Sequence, residues 1–564
     1  MSHPVPDRDG VSERSSADGA SPDEPSRPRS FLGNAVVVGL AVLALLLSAA
    51  LVNRILPVPD SVDFRTLNRV CLLMDERGWT HCVNHNWGFA LPLTTASVTR
   101  FTADLLVAQR IVSGVFALVA LVLAERVMTG LFKIRSVPLK AVLLVWMAVS
   151  PWMLEALVSV HLDIASIALL LGAVVLLRAR RRPVHLLGGL LAAMAYWFRF
   201  HFLLAAVLYI PLVALYRRDD QGLRRGGWAT VGVLLGLLVP TILCLIALGT
   251  PSISNSKQAF MIDCVYEIGP PSGPLASFRN CIPYTIEFYE KLEQLSWSSL
   301  VRGIVWSEVA QRFVRVCLRP TFVLLLAALG LQLLRPKTRS TDVAGIRHGH
   351  PITNWLSRAR QCPSIYIILY VFGALLPFVV IRGHTPRLEA TLVLLAFPLL
   401  AAAASDRGSC SKAGLILALF LVSVGAGREQ LAGYRARARR LQARSREILS
   451  VVPEEVLRER PECVLSTVEF YNPHDPYRQC APALFGGWPM LSAPMREEFG
   501  VIDVTRMHET AAYEPFEYIV LARWPGSNWA SLVYERYNKA MLDLEADYTK
   551  TENFIIVCRD QDTE

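Results

Sequence analysis

Charge is missing from long stretches of this sequence, and that absence fixes its class first. The run AVVVGLAVLALLLSAALV (35–52) contains no acidic or basic side chain. A helix needs roughly 18 or more such residues to cross ~30 Å of hydrocarbon. With 53% hydrophobic residues over 564 positions and a mean hydropathy of +0.38, the chain carries more apolar content than a soluble domain can cover. No zinc knuckle, aromatic RNA-binding strand or basic helix arm is present, so the net charge of +10 points to no nucleic-acid partner. No internal repeat is evident, unlike the repeated halves of many transporters. The region after residue 428 lacks a glycine-rich phosphate loop and a Cys/His cluster at metal spacing, which suits a helper role rather than a catalytic one.

What is present is a polytopic α-helical membrane protein with a C-terminal soluble α/β domain. Residues 1–30, rich in Ser, Pro, Asp and Arg, cannot bury a core and read as a disordered tail. Residues 31–428 form the multi-span domain, and 429–564 form the α/β domain. The first span covers about Phe31 to Val52; a cleaved signal peptide is the rival reading, and the long tail and long apolar run favour a retained helix. Further spans fall near 104–124, 139–157, 163–178, 184–198, 201–216, 228–249, 320–334, 364–381, 388–404 and 411–427, roughly eleven in all at the length a bilayer requires. In the tail, CVLSTVEF, FEYIVLARW and NFIIVCRD read as strands and 529–548 as a helix.

Basic connections at 126–140, 178–182, 217–225 and 335–360 fall on one side, which the positive-inside bias makes cytoplasmic, together with the N-terminus. The opposite side holds the first outer loop 53–103, a link around His161, the second large loop 250–319, the link 382–387 and the C-terminal domain. One feature disagrees: GREQLAGYRARARRLQARSRE puts about seven arginines on that outer side, although long domains cross largely regardless of charge. Seven of the eleven cysteines also lie there, which suits an oxidising compartment. Cys71–Cys82 and Cys264–Cys281 are candidate disulfides, with free thiols the equal alternative.

The first outer loop carries most information. Phe64, Leu67, Cys71 and Met74 recur at helical spacing, so this stretch reads as an amphipathic helix on the membrane surface. Asp60 stands just before it. It is either an N-cap or a general base at the interface, where partial desolvation raises its basicity. Arg199, His201, Arg382, His384 and Arg387 lie near outer span ends as candidate phosphate clamps, or they snorkel toward headgroups. His161 and Asp163 are candidates for a divalent metal or the acceptor, with a helix-end role as the plainer reading. Asp75 and Glu76 read as a solvated helix end.

The long first outer loop, its leading acid, the interfacial helix and the multiple spans together resemble the GT-C superfamily of polyprenyl-phosphate-sugar glycosyltransferases. The likeness is to the bacterial branch of aminoarabinose, protein O-mannosyl and lipopolysaccharide sugar transferases. Asp60, Phe64 and Leu67 match that branch's spacing. NHNWGFALPL resembles its approach to the second span, and Arg110 resembles an arginine common within it. SPWMLEALVSVHLDIASIALLLGAVVLL, with Asp163, and GGLLAAMAYWFRFHFLLAAVLYIP, with Arg199, resemble later spans. The chain departs from the branch at Arg387-Leu388, where Arg-Tyr is common, and at Ser61, where an acidic partner would follow Asp60.

The resemblance implies transfer of a monosaccharide from a polyprenyl-phosphate donor to a cell-envelope glycan, lipid or protein on the outer face of the cell membrane. Asp60 would be the base, with Asp163, Arg199, His201, Arg382, His384 and Arg387 binding substrate. The cofactor is open, a divalent metal included. The rival classes are a transporter or lipid flippase, which would place ionisable groups near mid-membrane, and a non-enzymatic scaffold presenting its tail domain.

Overall fold

The structure is a computed structural model. It describes residues 29–55, 78–83, 88–102, 105–158, 163–199, 202–216, 221–248, 409–460, 463–466, 483–484, 517–522, 548–551 and 554–558, with Leu67, Cys71, Met74, Val323, Val393, Leu394 and Phe397. Asp60, His161, His201, Arg382, His384 and Arg387 lie outside these residues. So do residues 1–28 of the predicted disordered tail (29 and 30 belong to the first helix), the second large loop with Cys264 and Cys281, nearly all of the predicted spans at 320–334, 364–381 and 388–404, and most of the predicted helix at 529–548.

The apolar runs are helices: α1 (Arg29–Ile55), α2 (Ala90–Thr102), α3 (Leu105–Gly130), α4 (Val137–Val149), α5 (Pro151–Val158), α6 (Asp163–Leu176), α7 (Pro183–Phe198), α8 (Leu203–Tyr216), α9 (Gly222–Leu248) and α10 (Ser409–Leu449). Among the described residues, α1, α3, α9 and α10 are long and apolar enough to cross a membrane, while α4, α6, α7 and α8 are shorter apolar helices. The chain is a multi-pass membrane protein.

Two expectations need refining. The single span predicted at 139–157 is broken between α4 and α5. Pro151 cannot donate to the preceding turn, and the Ser150 hydroxyl accepts the Met153 N–H at 3.2 Å instead. The last span, predicted to end near 427, continues without interruption to Leu449.

Small residues set the helix spacing at the centre. A Cβ at Gly189 would lie 2.2 Å from the Ala229 carbonyl oxygen, and one at Gly232 would lie 2.0 Å from that of Leu186. The α7 and α9 backbones can touch only because both positions are bare, the usual route to close helix packing where lipid gives no hydrophobic drive. Trp197 Nε1 donates to the Gly236 carbonyl at 2.7 Å and closes the same seam. Tyr209 Oη on α8 donates to Ala173 O on α6 at 2.9 Å.

At the end of the bundle where the basic loops gather, Lys140 Nζ donates to Asn34 Oδ1 at 2.6 Å, to Thr129 Oγ1 at 2.9 Å and to Glu125 Oε1 at 3.2 Å. Three helices, α1, α3 and α4, meet on this one ammonium. Arg182 Nε also donates to Gln221 Oε1 at 3.4 Å, so the connections at 178–182 and 217–225 share a side as the sequence predicts.

The tail domain follows from α10. Its strands are β1 (Val464–Ser466), β2 (Ala483–Leu484), β3 (Tyr518–Ala522), β4 (Tyr548–Lys550) and β5 (Phe554–Cys558). They form one sheet in the order β2-β1-β3-β5-β4. β1 is parallel to β2 and β3, and β5 is antiparallel to β3 and β4. Three of these strands fall inside the three predicted runs. Tyr548 opens a strand rather than closing the predicted helix. Ile448 of α10 packs with Val452, Val456, Leu457, Val464, Val520 and Ile556 in the core of this domain.

The Lys140–Glu125 pair is 3% exposed on both sides, so removing one partner leaves a buried charge. Lys140→Met should destabilise the protein by about 3–5 kcal/mol. Lys140→Met with Glu125→Leu should recover much of that. Thermal unfolding in nanodiscs measures both, and an unchanged single variant would refute the assignment.

Candidate active site

Asp163 opens α6, and Arg199 caps the end of α7 with an extended backbone. The antiparallel course of these helices brings the two residues to the same end of the bundle. Arg199 Nε lies 3.3 Å from Asp163 Oδ1, with the side chains 7% and 4% exposed. Beside them, Ser166 Oγ donates to the Ala195 carbonyl at 2.9 Å and holds the two helices in register. Both candidates chosen from sequence are therefore brought together, as an ion pair shielded from water. Such a pair is stable only while both members remain.

Described parts of the first loop pack against residues beside this pair, Ala165 and Phe198. Leu67, Cys71 and Met74 are helical and buried, as their spacing predicts. They share a cluster with Cys82, Val83, Phe89, Leu91, Val112, Ala165 and Phe198. The Gly88 N–H donates to the Phe198 carbonyl at 3.3 Å, and a Cβ on Gly88 would lie 1.6 Å from the Trp197 carbonyl oxygen. Phe89 packs on Trp197 with ring centroids 5.4 Å apart, and Phe116 meets Phe198 edge-on at 5.1 Å. The residues immediately before Arg199 thus form the floor on which the first loop rests.

The disulfide expectation at Cys71–Cys82 is corrected: no disulfide joins them, and both thiols are buried. Cys71 Sγ instead lies 3.7 Å from the Pro92 carbonyl oxygen. Burial holds the Cys71 thiol well above its ordinary range, offset in part by a backbone hydrogen bond at Ala96. Burial, then the nearby Cys244, push Cys82 up to about 12, against a small lowering by its own backbone. Their place is explained by packing rather than redox chemistry.

Sequence reasoning missed Glu155, an acid inside the apolar run PWMLEALV. It is buried on α5, where its Oε2 accepts from Tyr434 Oη at 2.6 Å and from Gln430 Nε2 at 2.8 Å. A carboxylate within a hydrophobic helix was the available signal. Tyr434 also packs against Ile55, Leu154 and Ala438, which puts the arginine-rich half of α10 at the first-loop end of the bundle. Among the described residues no group of three or more His, Cys, Asp or Glu side chains is placed to hold a metal.

No protein-family model and no curated protein sequence matches the chain. Solved structures do. The crystal structure of ArnT from Cupriavidus metallidurans bound to undecaprenyl phosphate aligns over 95% of this chain and 99% of its own, with a TM-score of 0.56 and 10% identity. The same protein in the apo state aligns over 93% and 97%, with a TM-score of 0.52 and 11% identity. The polytopic helical fold of those structures is the fold of this chain.

Because the thiols are protonated and covered, peptide mapping after maleimide treatment at pH 8 should find Cys71 and Cys82 unmodified in the folded protein. Gly88→Ala should lift the loop and expose Cys82. The elevated Cys82 pKa favours folding below its ordinary value of 9.0, and that contribution is lost as pH rises from there toward about 12. Prompt labelling of Cys82 in the wild type would contradict the packing.

Proposed function

We propose that this chain is a GT-C-type membrane glycosyltransferase. It moves a monosaccharide from a polyprenyl-phosphate donor to a cell-envelope glycan, lipid or protein on the extracytoplasmic face. One observation carries the reading: nearly the whole chain shares the fold of a protein crystallised with undecaprenyl phosphate. Arg199, buried next to Phe198 on which the first loop packs, supports the reading as a positive charge for the donor phosphate.

In this reading the 1–30 tail is cytoplasmic, 31–428 is the catalytic membrane domain, and 429–564 stands outside as its helper. Asp60 accepts the proton from the acceptor hydroxyl as that oxygen bonds to the anomeric carbon. The bond from that carbon to the phosphate oxygen breaks, and polyprenyl phosphate departs with the electron pair. Arg199 and Arg387 stabilise the charge that develops on the leaving phosphate, with His201, Arg382 and His384 beside them. Asp163 orients the Arg199 guanidinium, since a planar cation fixed on one edge presents its other edge in a defined direction. A divalent metal, where one is used, would add Lewis-acid stabilisation of the same phosphate.

The test uses the full chain in nanodiscs, a panel of polyprenyl-phosphate sugars and an envelope extract, following release of free polyprenyl phosphate. Asp60→Asn should lower release by about 100-fold or more, the usual contribution of a general base, with unchanged thermal unfolding. Equal release by both proteins would return Asp60 to a helix cap. Arg199→Gln should abolish donor turnover, and its unpaired Asp163 should also lower stability. The double variant Arg199→Gln with Asp163→Asn should restore stability but not turnover.

A further inference from the structure

The transfer reaction proposed above does not use the arginines beyond the last apolar stretch, and they oppose the charge bias that orients the rest of the chain. Their arrangement is regular. Arg428, Arg435, Arg439 and Arg446 are all exposed on α10. Steps of seven, four and seven residues return to within about 20° of one helix face and extend over about 27 Å. Ala432 and Gln442 fill the same face and are also exposed. Contacts to the rest of the protein come from the other side of α10. Gln430 and Tyr434 hold Glu155, while Ser445 and Ile448 are buried toward the tail domain. Glu429 and Glu447 lie off the stripe, and Glu447 accepts from Thr551 at 2.8 Å. Among the described residues no carboxylate pairs with any of the four arginines.

We propose that this stripe is a docking surface for an extended anionic glycan, one carrying repeated carboxylate or phosphate groups. Guanidinium groups bind such oxyanions through paired, charge-assisted hydrogen bonds, and four in line fit a linear polyanion better than a single ion. Lipid headgroups fit less well. They add only roughly 5–8 Å beyond each face of the hydrocarbon, which Arg428 reaches from the end of the apolar run. Arg446 is about 27 Å further along the helix. A helix lying flat on the membrane would need a free apolar face for lipid, and here Tyr434 and Ile448, on the side opposite the stripe, are buried against protein. The proposal stands apart from the transferase reading, because binding is measured without turnover.

The experiment places the full chain in nanodiscs of zwitterionic lipid and titrates it into fluorescently labelled polygalacturonate, with neutral dextran as control. Anisotropy should report binding of the polyanion alone, weakening as salt shortens the screening length. Arg435→Gln and Arg439→Gln should each weaken binding about threefold, as loss of one exposed charge contact does. Arg440→Gln removes the same charge from the neighbouring residue, exposed but off the stripe, and should change binding little. Equal losses from Arg439→Gln and Arg440→Gln would overturn the stripe in favour of net charge. Loss of binding in nanodiscs containing phosphatidylglycerol, at unchanged salt, would overturn it in favour of headgroups. Absence of polygalacturonate binding by the wild type would overturn it outright.

Discussion

A charged side chain that cannot reach water must be met by a partner, because an isolated ion in a medium of low polarity is unstable by several kcal/mol. Among the described residues, the three buried carboxylates of the bundle obey that constraint, and together they fix it at both ends. Lys140 and Glu125 gather α1, α3 and α4 at the basic-loop end. Asp163 and Arg199 join α6 to α7 at the first-loop end. Glu155 joins α5 to α10 through two neutral donors. The first two are ion pairs, in which neither member can move alone. The third reaches α10 through a hydroxyl and an amide, those of Tyr434 and Gln430.

Position along the membrane axis separates these sites, while the glycine seam between α7 and α9 sets distances across it. Gly189 and Gly232 let the two backbones touch, and Trp197 bonds to Gly236 one turn from the site. Trp197 and Phe198 therefore stand on a helix whose place is fixed by backbone contact. The first loop rests on those residues through Gly88 and Phe89. The chain of support runs from seam to helix end to loop, and the Asp163–Arg199 pair sits where it terminates.

Much of this was legible in the sequence because hydrocarbon imposes a simple rule: long apolar runs become helices. The α1 and α6 to α9 runs appear close to their predicted places. The face formed by Leu67, Cys71 and Met74 also appears as its spacing predicts, and three predicted strands pair in one sheet. Breaks were harder to read. Ser150-Pro151 divides a run whose hydropathy is continuous, and the extension of α10 to Leu449 follows from packing on Tyr434 and Ile448 rather than from apolarity. Asp163 and Arg199 were each visible as ionisable residues at span ends. Their pairing was not, since it depends on where two separate helices stop. The Cys71–Cys82 expectation failed for a related reason: two cysteines in one outer loop suggest a bridge, but here each thiol fills a separate gap in an apolar cluster.

The tail domain's connection to the site has the character of a tether. Its sheet packs on the end of α10, α10 is held to α5 by Glu155, and α5 leads through a short link to Asp163. Rigid elements joined in this way transmit position, but an allosteric claim would require an element with two distinct packings that both ends can bias. No such element is needed to explain the contacts here. A helix fixed at Glu155 and again at Ile448 keeps the domain in a constant relation to the first loop, and it does so while leaving Arg428, Arg435, Arg439 and Arg446 exposed. The face with Arg428, Arg435, Arg439 and Arg446 stays in water because the described groups that dock α10, Gln430, Tyr434, Ser445 and Ile448, lie on its opposite side. That division lets one helix anchor the domain while leaving a continuous basic surface beside the candidate site.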